Sequence, residues 1–316
     1  MYAAPEIVDT EVFATLPDEF RLQGRRSEFV EVHPGHVPST CLLEGPSFDL
    51  EGNLFCVDIL FGRIFKISPA GEFSLFTEYD GWPNGLKFHK DGRIFVADYK
   101  RGIVTIDPKT GAMTPLIERY HLEHLKAPND LVFASNGDCY FTDQGLTGLQ
   151  DPSGRLFRVR ADGRIDLLLD NIPSPNGLVL DLSEEVVYLA VTRQNAIWRV
   201  PLMRDGTVAK VGVFIQMSGG SGPDGVALDA EGNLAVAHVG MGAVWLFSRL
   251  GEPLYRIKSC RGTHTTNVAY GGADGKSLFI TESESGTILR ARLKVAGRTM
   301  FSHMVSVTQP SREGAP

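Results

Sequence analysis

The chain alternates between short apolar runs and turn segments with a regular period. Each repeat opens on a polar residue at the start of an apolar stretch. Six such positions lie 40 to 48 residues apart: Glu44, Asn84, Asn129, Asn176, Asp224 and Asn267. We call these six the marker residues. A period in this range indicates a repeat architecture, and the alternation of apolar and polar positions within each repeat indicates strands.

Every repeat has the same internal order of strands and turns. The apolar stretch after the marker leads into a turn, often with an Asp-Gly, Asn-Gly or Glu-Gly pair that is typical of hairpins. The second strands end 14 to 16 residues beyond the markers, at Asp58, Asp98, Asp143, Thr192, His238 and Glu282. A third strand and a more polar fourth strand complete most repeats. The sequence therefore predicts an all-β fold, a six-bladed β-propeller with its markers at the axis.

The repeats leave one question about closure of the ring. We expect a single domain over residues 1–316, with blades across approximately 40–293 and a C-terminal tail at 297–316. The last repeat has no convincing fourth strand of its own, and an open ring leaves two blade edges unpaired. An N-terminal segment is therefore expected to close the last blade, with 27–33 (SEFVEVH) as the candidate.

Composition narrows the functional classes. The net charge is −7 and there is no block of Lys or Arg, which argues against nucleic-acid binding. No apolar run approaches the roughly 20 residues of a membrane helix, and the N-terminal region lacks the apolar core of a secretion signal. We expect a cytoplasmic protein that is monomeric or weakly homo-oligomeric and does not bind membranes. The four cysteines form no CxxC pair, so a zinc ribbon is not predicted.

The markers are more than turn residues when they are taken together. Asn-Gly and Asp-Gly pairs are common turn signals. Each of Asn84, Asn176 and Asp224, taken alone, is therefore explained equally well by a turn or by a functional role. Glu44 and Asn129 hold the same repeat position without such a pair. Two carboxylates and four amides at one point supply oxygen donors only, and burying two carboxylates together is costly without a cation. The set predicts one divalent cation, calcium first, with zinc, manganese and magnesium as alternatives.

The ordered motifs also resemble a known family. LLEGP, PND followed by YFTD, PNGL and GPDG occur in that order, and the set is similar to the SMP-30/gluconolactonase/LRE family. That family includes regucalcin-like sugar lactonases and, more distantly, diisopropylfluorophosphatase. The resemblance covers about residues 40–293 and implies a six-bladed propeller with an axial divalent metal. It implies four metal ligands: Glu44, Asn129, Asn176 and Asp224. PNGL occurs twice, and the spacing from Asn129 and Asp224 assigns the metal role to Asn176.

Two departures from the family concern the substrate. Regucalcin-type relatives carry an arginine where this chain has Ala127, and many sugar lactonases read YFTDP where this chain reads YFTDQ. Recognition of sugar hydroxyls is therefore expected to differ. Four apolar residues are expected near the cavity end of the blades: Phe61, Trp82, Leu146 and Met241. The insertion ERYHLEHLK at 118–126 is expected to form part of a lid.

The predicted function is a metal-dependent hydrolase that opens a sugar-type or other small lactone or ester. The metal would polarise the carbonyl and a carboxylate would direct water onto it. Asp224 is the first candidate for the catalytic base, Asp130 is the second, and direct attack by Asp224 stays open. Four residues are candidates for substrate binding: Asn84, Asn129, Asn267 and His238.

Several alternatives stay open at this point. Asp130 is equally well explained as a turn carboxylate, and His238 as a packed, hydrogen-bonded histidine. Asp98 and Asp143 are expected to satisfy backbone groups between blades rather than to act in catalysis. The same ligand set would suit a phosphotriester or organophosphate hydrolase. It would also suit a non-catalytic ligand-binding propeller with structural calcium, because a fold does not fix a function.

Overall fold

Each marker lies in the innermost strand of an antiparallel sheet. The computed structural model describes residues 3–33, 35 and 40–304, and within them six sheets of at least four strands form the blades of a propeller. The blades are numbered 1 to 6 in the order of their innermost strands along the chain. This arrangement confirms the predicted six-bladed β-propeller.

The blades have the following strands, from the innermost outward. Blade 1 has Leu43–Phe48, Leu54–Asp58, Arg63–Ile67 and Phe73–Glu78; blade 2 has Pro83–Phe88, Ile94–Asp98, Gly102–Ile106 and Met113–Ile117; blade 3 has Pro128–Phe133, Cys139–Asp143, Gly154–Val159 and Ile165–Ile172. Blade 4 has Pro175–Leu180, Val186–Val191, Ala196–Pro201 and Gly212–Gln216; blade 5 has Gly222–Leu228, Leu234–Val239, Ala243–Phe247 and Pro253–Lys258; blade 6 has Thr265–Gly271, Ser277–Glu282, Thr287–Arg292 and Glu11–Thr15.

The remaining elements lie outside this four-strand pattern. Glu6–Asp9 adds a parallel fifth strand to the outer edge of blade 5. The insertion after blade 2 forms a small ladder between Arg119–Tyr120 and Glu123–His124. One α-helix spans Glu28–Val32, and short 3-10 helices span Asp18–Phe20, Ile59–Phe61, Thr192–Gln194 and Phe301–His303. No helix in the described part of the chain is long and apolar enough to cross a bilayer.

The N-terminal strand Glu11–Thr15 completes blade 6. It runs antiparallel to Thr287–Arg292, with Glu11 opposite Arg290 and Thr15 opposite Thr287. The expectation that 27–33 supplies this strand is wrong, because Glu28–Val32 is a helix. Ser27 caps that helix by accepting a hydrogen bond from Val30 N at 3.4 Å. Serine is among the preferred N-cap residues, and this favours the helix over a strand at that point.

Every innermost strand has an irregular register at its marker. Such bulges redirect side chains and are common beside active sites. Glycine follows the marker where the strands approach most closely. A Cβ at Gly225 would lie 2.0 Å from Asn267 Oδ1, and one at Gly85 would lie 2.5 Å from Asp130 Oδ1. The absence of these side chains lets the inner strands converge on the axis.

The carboxylates that end the second strands hold the backbone leading into the markers. Asp58, Asp98 and Asp143 are 0% exposed. Their Oδ1 atoms accept hydrogen bonds from backbone N–H groups two residues before the marker, at 2.8 Å from Leu42, 3.1 Å from Trp82 and 2.9 Å from Ala127. Asp98 and Asp143 thus satisfy backbone groups, as expected, and these groups lie where the chain enters their own blades. The apolar core lies between adjacent blades, as with Val57 and Val96 between blades 1 and 2.

Candidate metal and active site

The markers converge at one end of the central channel. All are buried except Asp224, which is half-buried. Side chains from blade 3 and blade 4 help to place the inner strand of the next blade. Thr142 Oγ1 donates to Asn176 O at 2.8 Å, and Thr192 Oγ1 donates to Pro223 O at 2.8 Å. The polar positions that are far apart in sequence thus meet in one cluster.

Glu44 is held by two hydrogen bonds to one carboxylate oxygen. Its Oε2 accepts from Gly45 N at 2.6 Å and from Asn267 Nδ2 at 2.8 Å. Burial nevertheless raises the pKa of Glu44 to about 7, because a charged carboxylate is poorly solvated there. Both contacts fix the carboxylate at the axis. Glu44 is only 4% exposed there, so little water can solvate its charge.

Asp224 shares this electrostatic environment. Burial raises its pKa well above the usual range, and the nearby charge of Glu44 raises it further. A hydrogen bond from Asn176 and the positive charge of Arg193 oppose the increase in pKa. Glu44 thus disfavours the ionisation of Asp224, as Asp130 disfavours that of Glu44, and a bound cation would relieve this repulsion.

Asn129 is hydrogen-bonded to two residues that the sequence analysis missed. Its Nδ2 donates to Tyr99 Oη at 2.8 Å and to Gln144 Oε1 at 2.9 Å. Burial raises the pKa of Tyr99, so its hydroxyl stays protonated, and Asn84 lies beside this hydroxyl. Tyr99 thus connects the markers of blades 2 and 3.

Asp130 and Asn267 lie against Glu44. Asn267 Nδ2 also approaches Asp130 Oδ2 at 3.4 Å, and its Oδ1 accepts from Val268 N at 2.8 Å. Asp130 Oδ1 accepts from Leu131 N at 2.8 Å and lies 3.8 Å from Lys87 Nζ. Both ends of the Asn267 amide are thus occupied by protein groups, and Asp130 is only 2% exposed.

His238 pairs with Pro223 in the sheet of blade 5 and is 1% exposed. Its Nε2 is 2.9 Å from Gly219 O, and its Nδ1 accepts from Trp245 Nε1 at 3.2 Å. Burial lowers the pKa of His238, so the neutral ring is favoured. These contacts fit the alternative that His238 is a packed, hydrogen-bonded histidine, since both ring nitrogens already have protein partners.

A cleft of about 770 Å³ lies over the mouth of the channel. Its walls include Phe29 of the helix, Trp82, Tyr99, Leu146 and Arg193. Phe29 packs edge-on against Trp82 with ring centroids 5.5 Å apart. The cleft is thus mainly apolar on one side and meets the polar cluster at Tyr99.

The predictions for the apolar lining are partly correct. Trp82 and Leu146 line the cleft, as expected. Phe61 does not, because it packs into the core between blades 1 and 2 beneath the Arg63 guanidinium. Met241 does not line the cleft either, since its side chain lies against the turn at Gly219–Gly220 before the inner strand of blade 5. Of the insertion at 118–126, Lys126 reaches the cleft.

The residues that sequence reasoning missed are Phe29, Tyr99, Gln144 and Arg193. The Ser27 cap with Glu28 and Glu31 in the first turn was a usable helix signal. Tyr99, Gln144 and Arg193 each follow closely on the end of a second strand, at Asp98, Asp143 and Thr192. The position immediately after each second strand therefore recurs along the sequence, and this recurrence could have identified these residues as candidates for the wall of the cleft.

The donor set fits a hard cation. The oxygen-bearing side chains come from two carboxylates and from amides, without His or Cys, and this favours calcium over softer metals. No three His, Cys, Asp or Glu side chains in the described ranges are grouped as a metal site. A cation at this point would therefore have to take amide oxygens, such as those of Asn129 and Asn176, as ligands beside the carboxylates.

Comparison with known proteins gives a consistent result. Residues 42–284 match the SMP-30/Gluconolactonase/LRE-like region. The lactonase drp35 of Staphylococcus epidermidis is 34% identical over 253 residues, covering 77% of this chain and 74% of that protein.

Solved structures show the same fold. A calcium-binding regucalcin from Agrobacterium tumefaciens superposes with a TM-score of 0.76 at 23% identity, over 96% of this chain and 100% of that one. A gluconolactonase from Xanthomonas campestris gives a TM-score of 0.72 at 21% identity, over 93% and 99% of the two chains. With its six-bladed ring, its ordered motifs and the match over 42–284, this chain belongs to the SMP-30/gluconolactonase/LRE-like family.

Proposed function

We propose that this protein is a divalent-metal-dependent hydrolase that opens lactones. The observation that carries the proposal is the pair of carboxylates Glu44 and Asp224, which both lie near Tyr99 in the wall of a substrate-sized cleft. The charge of Glu44 raises the pKa of Asp224. The lactonase and gluconolactonase names of its relatives support the choice of a lactone as substrate.

Glu44, Asn129, Asn176 and Asp224 would hold the ion, and calcium is the ion that their oxygen donors suit best. When bound, the ion would supply Lewis acidity to the lactone carbonyl and stabilise the negative charge of the transition state. Glu44 serves as a ligand rather than a base, because it is buried and tied to Gly45 and Asn267.

Asp224 is the residue best placed to accept a proton. It is half-buried, whereas Asp130 is 2% exposed and already accepts hydrogen bonds from Leu131 and Asn267. The ionised Asp224 takes a proton from a water molecule as that water attacks the carbonyl carbon. The ring C–O bond then breaks, and the proton passes to the departing alkoxide to give a hydroxy acid.

The cleft positions the substrate by shape and by a few polar groups. Phe29, Trp82 and Leu146 would contact the ring, and the Tyr99 hydroxyl stays protonated beside the reacting end. Arg193 is exposed at the same mouth, and its positive charge favours the ionised form of Asp224. It would also attract the carboxylate of the product.

A panel of substrates tests the proposal. Dihydrocoumarin, a γ-lactone, glucono-1,5-lactone and an organophosphate triester are each assayed with calcium and with chelator. Hydrolysis of at least one lactone that is lost with chelator supports a lactonase. Turnover of the triester alone would establish the phosphotriesterase alternative. The absence of any turnover would favour a binding protein.

A further inference from the structure

Gln144 forms a closed set of hydrogen bonds with Asn129 and Tyr99. Asn129 Nδ2 donates to Gln144 Oε1 at 2.9 Å and to Tyr99 Oη at 2.8 Å, and Tyr99 Oη donates to Gln144 Oε1 at 2.6 Å. We call these three residues the amide clamp. The clamp lies at the edge of the cleft, since Tyr99 and Gln144 both line it.

The clamp determines which end of the Asn129 amide is free. An amide nitrogen carries two hydrogens, and both of those on Asn129 are used within the clamp. No group in residues 3–33, 35 or 40–304 donates to Asn129 Oδ1. A cation is bound by the oxygen of an amide and repelled by its NH2 group, so the orientation of this amide decides whether Asn129 can act as a ligand.

Gln144 is in turn fixed from the neighbouring blade. Its Nε2 donates to Ser174 Oγ at 2.9 Å, and Ser174 N donates to Thr147 Oγ1 at 3.1 Å. Thr147 Oγ1 donates to Gln144 O at 2.6 Å, which closes the loop after the second strand of blade 3. Ser174 has a left-handed backbone, with φ of 67°. The amide group of Gln144 is therefore supported on both sides.

The two amides are coupled. If Gln144 turned its NH2 group towards Asn129, two donors would face each other, so Asn129 would turn as well and lose its free oxygen. We propose that Gln144 is a positioning residue that holds the Asn129 amide with its oxygen available to the divalent cation. The inference rests on the proposed metal-dependent function and adds to it a residue that does not itself bind the ion.

Two substitutions separate this role from a general packing role. Gln144→Glu keeps an acceptor facing Asn129 and Tyr99. The ionised glutamate has no donor, so it cannot turn a donor towards Asn129. Gln144→Met keeps a similar length and removes the acceptor. Gln150→Met is the matched control, because Gln150 lines the same cleft but makes one long contact, to Leu146 O at 3.4 Å.

Calcium affinity is measured by calorimetry on metal-free protein. Thermal melts confirm that each variant folds, and kcat and KM are determined at saturating calcium. Gln144→Met is expected to weaken calcium binding by about 10- to 100-fold, the range for groups that orient metal ligands. Gln144→Glu is expected to bind calcium at least as tightly as the unsubstituted protein, and Gln150→Met is expected to match it. Tyr99→Phe, which keeps the Gln144 acceptor, should give a smaller loss than Gln144→Met.

The outcomes distinguish this inference from the proposed function. The positioning role is overturned if calcium affinity is unchanged in Gln144→Met. It is also overturned if Gln144→Glu loses as much calcium affinity as Gln144→Met. Neither result contradicts the proposed metal site. If Gln144→Met does not fold, the Glu and Phe variants still decide the matter. A wild-type protein that binds no divalent cation overturns the proposed function and this inference together.

Discussion

Asn267 Nδ2 donates to Glu44 Oε2 at 2.8 Å, although 223 residues separate the two in the chain. The bond joins blade 6 to blade 1 at the axis, where the ring closes. It directs one oxygen of Glu44 towards the protein, and the other carboxylate oxygen is the one that would bind a cation. Closure of the propeller and assembly of the candidate metal site therefore depend on the same contact.

Removal of the Glu44 charge should weaken cation binding more than any amide change in the site. Glu44→Gln keeps the shape but loses the attraction of a buried carboxylate, and we expect calcium affinity to fall by more than the roughly 10- to 100-fold that loss of an outer-shell partner causes. Calorimetric titration measures this directly. Glu51→Gln, at an exposed turn, is the control and should bind calcium normally.

Asp224→Asn should affect the rate more than the binding of the ion. The change keeps one ligand oxygen but removes the proton acceptor, so kcat is expected to fall on the order of 10²-fold or more. Calcium affinity should fall less than in Glu44→Ala. Near-normal turnover in calcium-loaded Asp224→Asn protein would move the base to Asp130.

The pH dependence of metal-free protein should reveal the raised pKa of Glu44. Its pKa in the folded state, about 7, lies above the ordinary value of 4.5. The protonated form is thus favoured by folding, so this contribution to stability is complete below about pH 4.5 and is lost as pH rises through about 7. Melting temperatures of metal-free protein should therefore decline more steeply from pH 5 to 8 in the wild type than in Glu44→Gln.

Calcium should reverse that trend. Both carboxylates must be ionised to bind the ion, so stabilisation by added calcium should grow as pH rises over the same range. Parallel melting curves for wild type and Glu44→Gln, with and without calcium, would show that Glu44 does not titrate in this way.

The sequence predicted the ring and its markers because both depend on local, periodic features. Glu44, Asn129, Asn176 and Asp224 recur at one position of each repeat, so symmetry alone brings them together. The helix at Glu28–Val32 breaks the repeat, so periodicity could not locate it. Tyr99, Gln144 and Arg193 hold a repeated position after the second strands, but the repeat alone does not show that this position faces a cleft. The closing strand Glu11–Thr15 was missed for a related reason, since its partner is Thr287–Arg292 at the other end of the chain. His238 is a different case: it holds a repeat position at the end of a second strand, and its ring is hydrogen-bonded to Gly219 and Trp245, in line with the packed alternative.

Substrate preference should follow the apolar wall of the cleft. Phe29, Trp82 and Leu146 offer few partners for sugar hydroxyls, which are costly to bury unpaired. We expect kcat/KM for dihydrocoumarin or a γ-lactone to equal or exceed that for glucono-1,5-lactone. Trp82→Ala should reduce kcat/KM for dihydrocoumarin more than for gluconolactone. A preference for gluconolactone of about tenfold, or 1.4 kcal/mol of transition-state binding, would show that other residues supply the polar contacts.

The measurement that tests the central claim most directly is the recovery of lactone hydrolysis as calcium is returned to metal-free protein. The protein is stripped with chelator, desalted, and assayed against dihydrocoumarin during a calcium titration, beside Glu44→Gln. We predict that activity is absent without metal, rises to a plateau at about one calcium ion per chain, as expected for one site of this ligand set, and needs far more calcium in Glu44→Gln. Full lactone hydrolysis by the stripped protein, unchanged by calcium, would contradict the account.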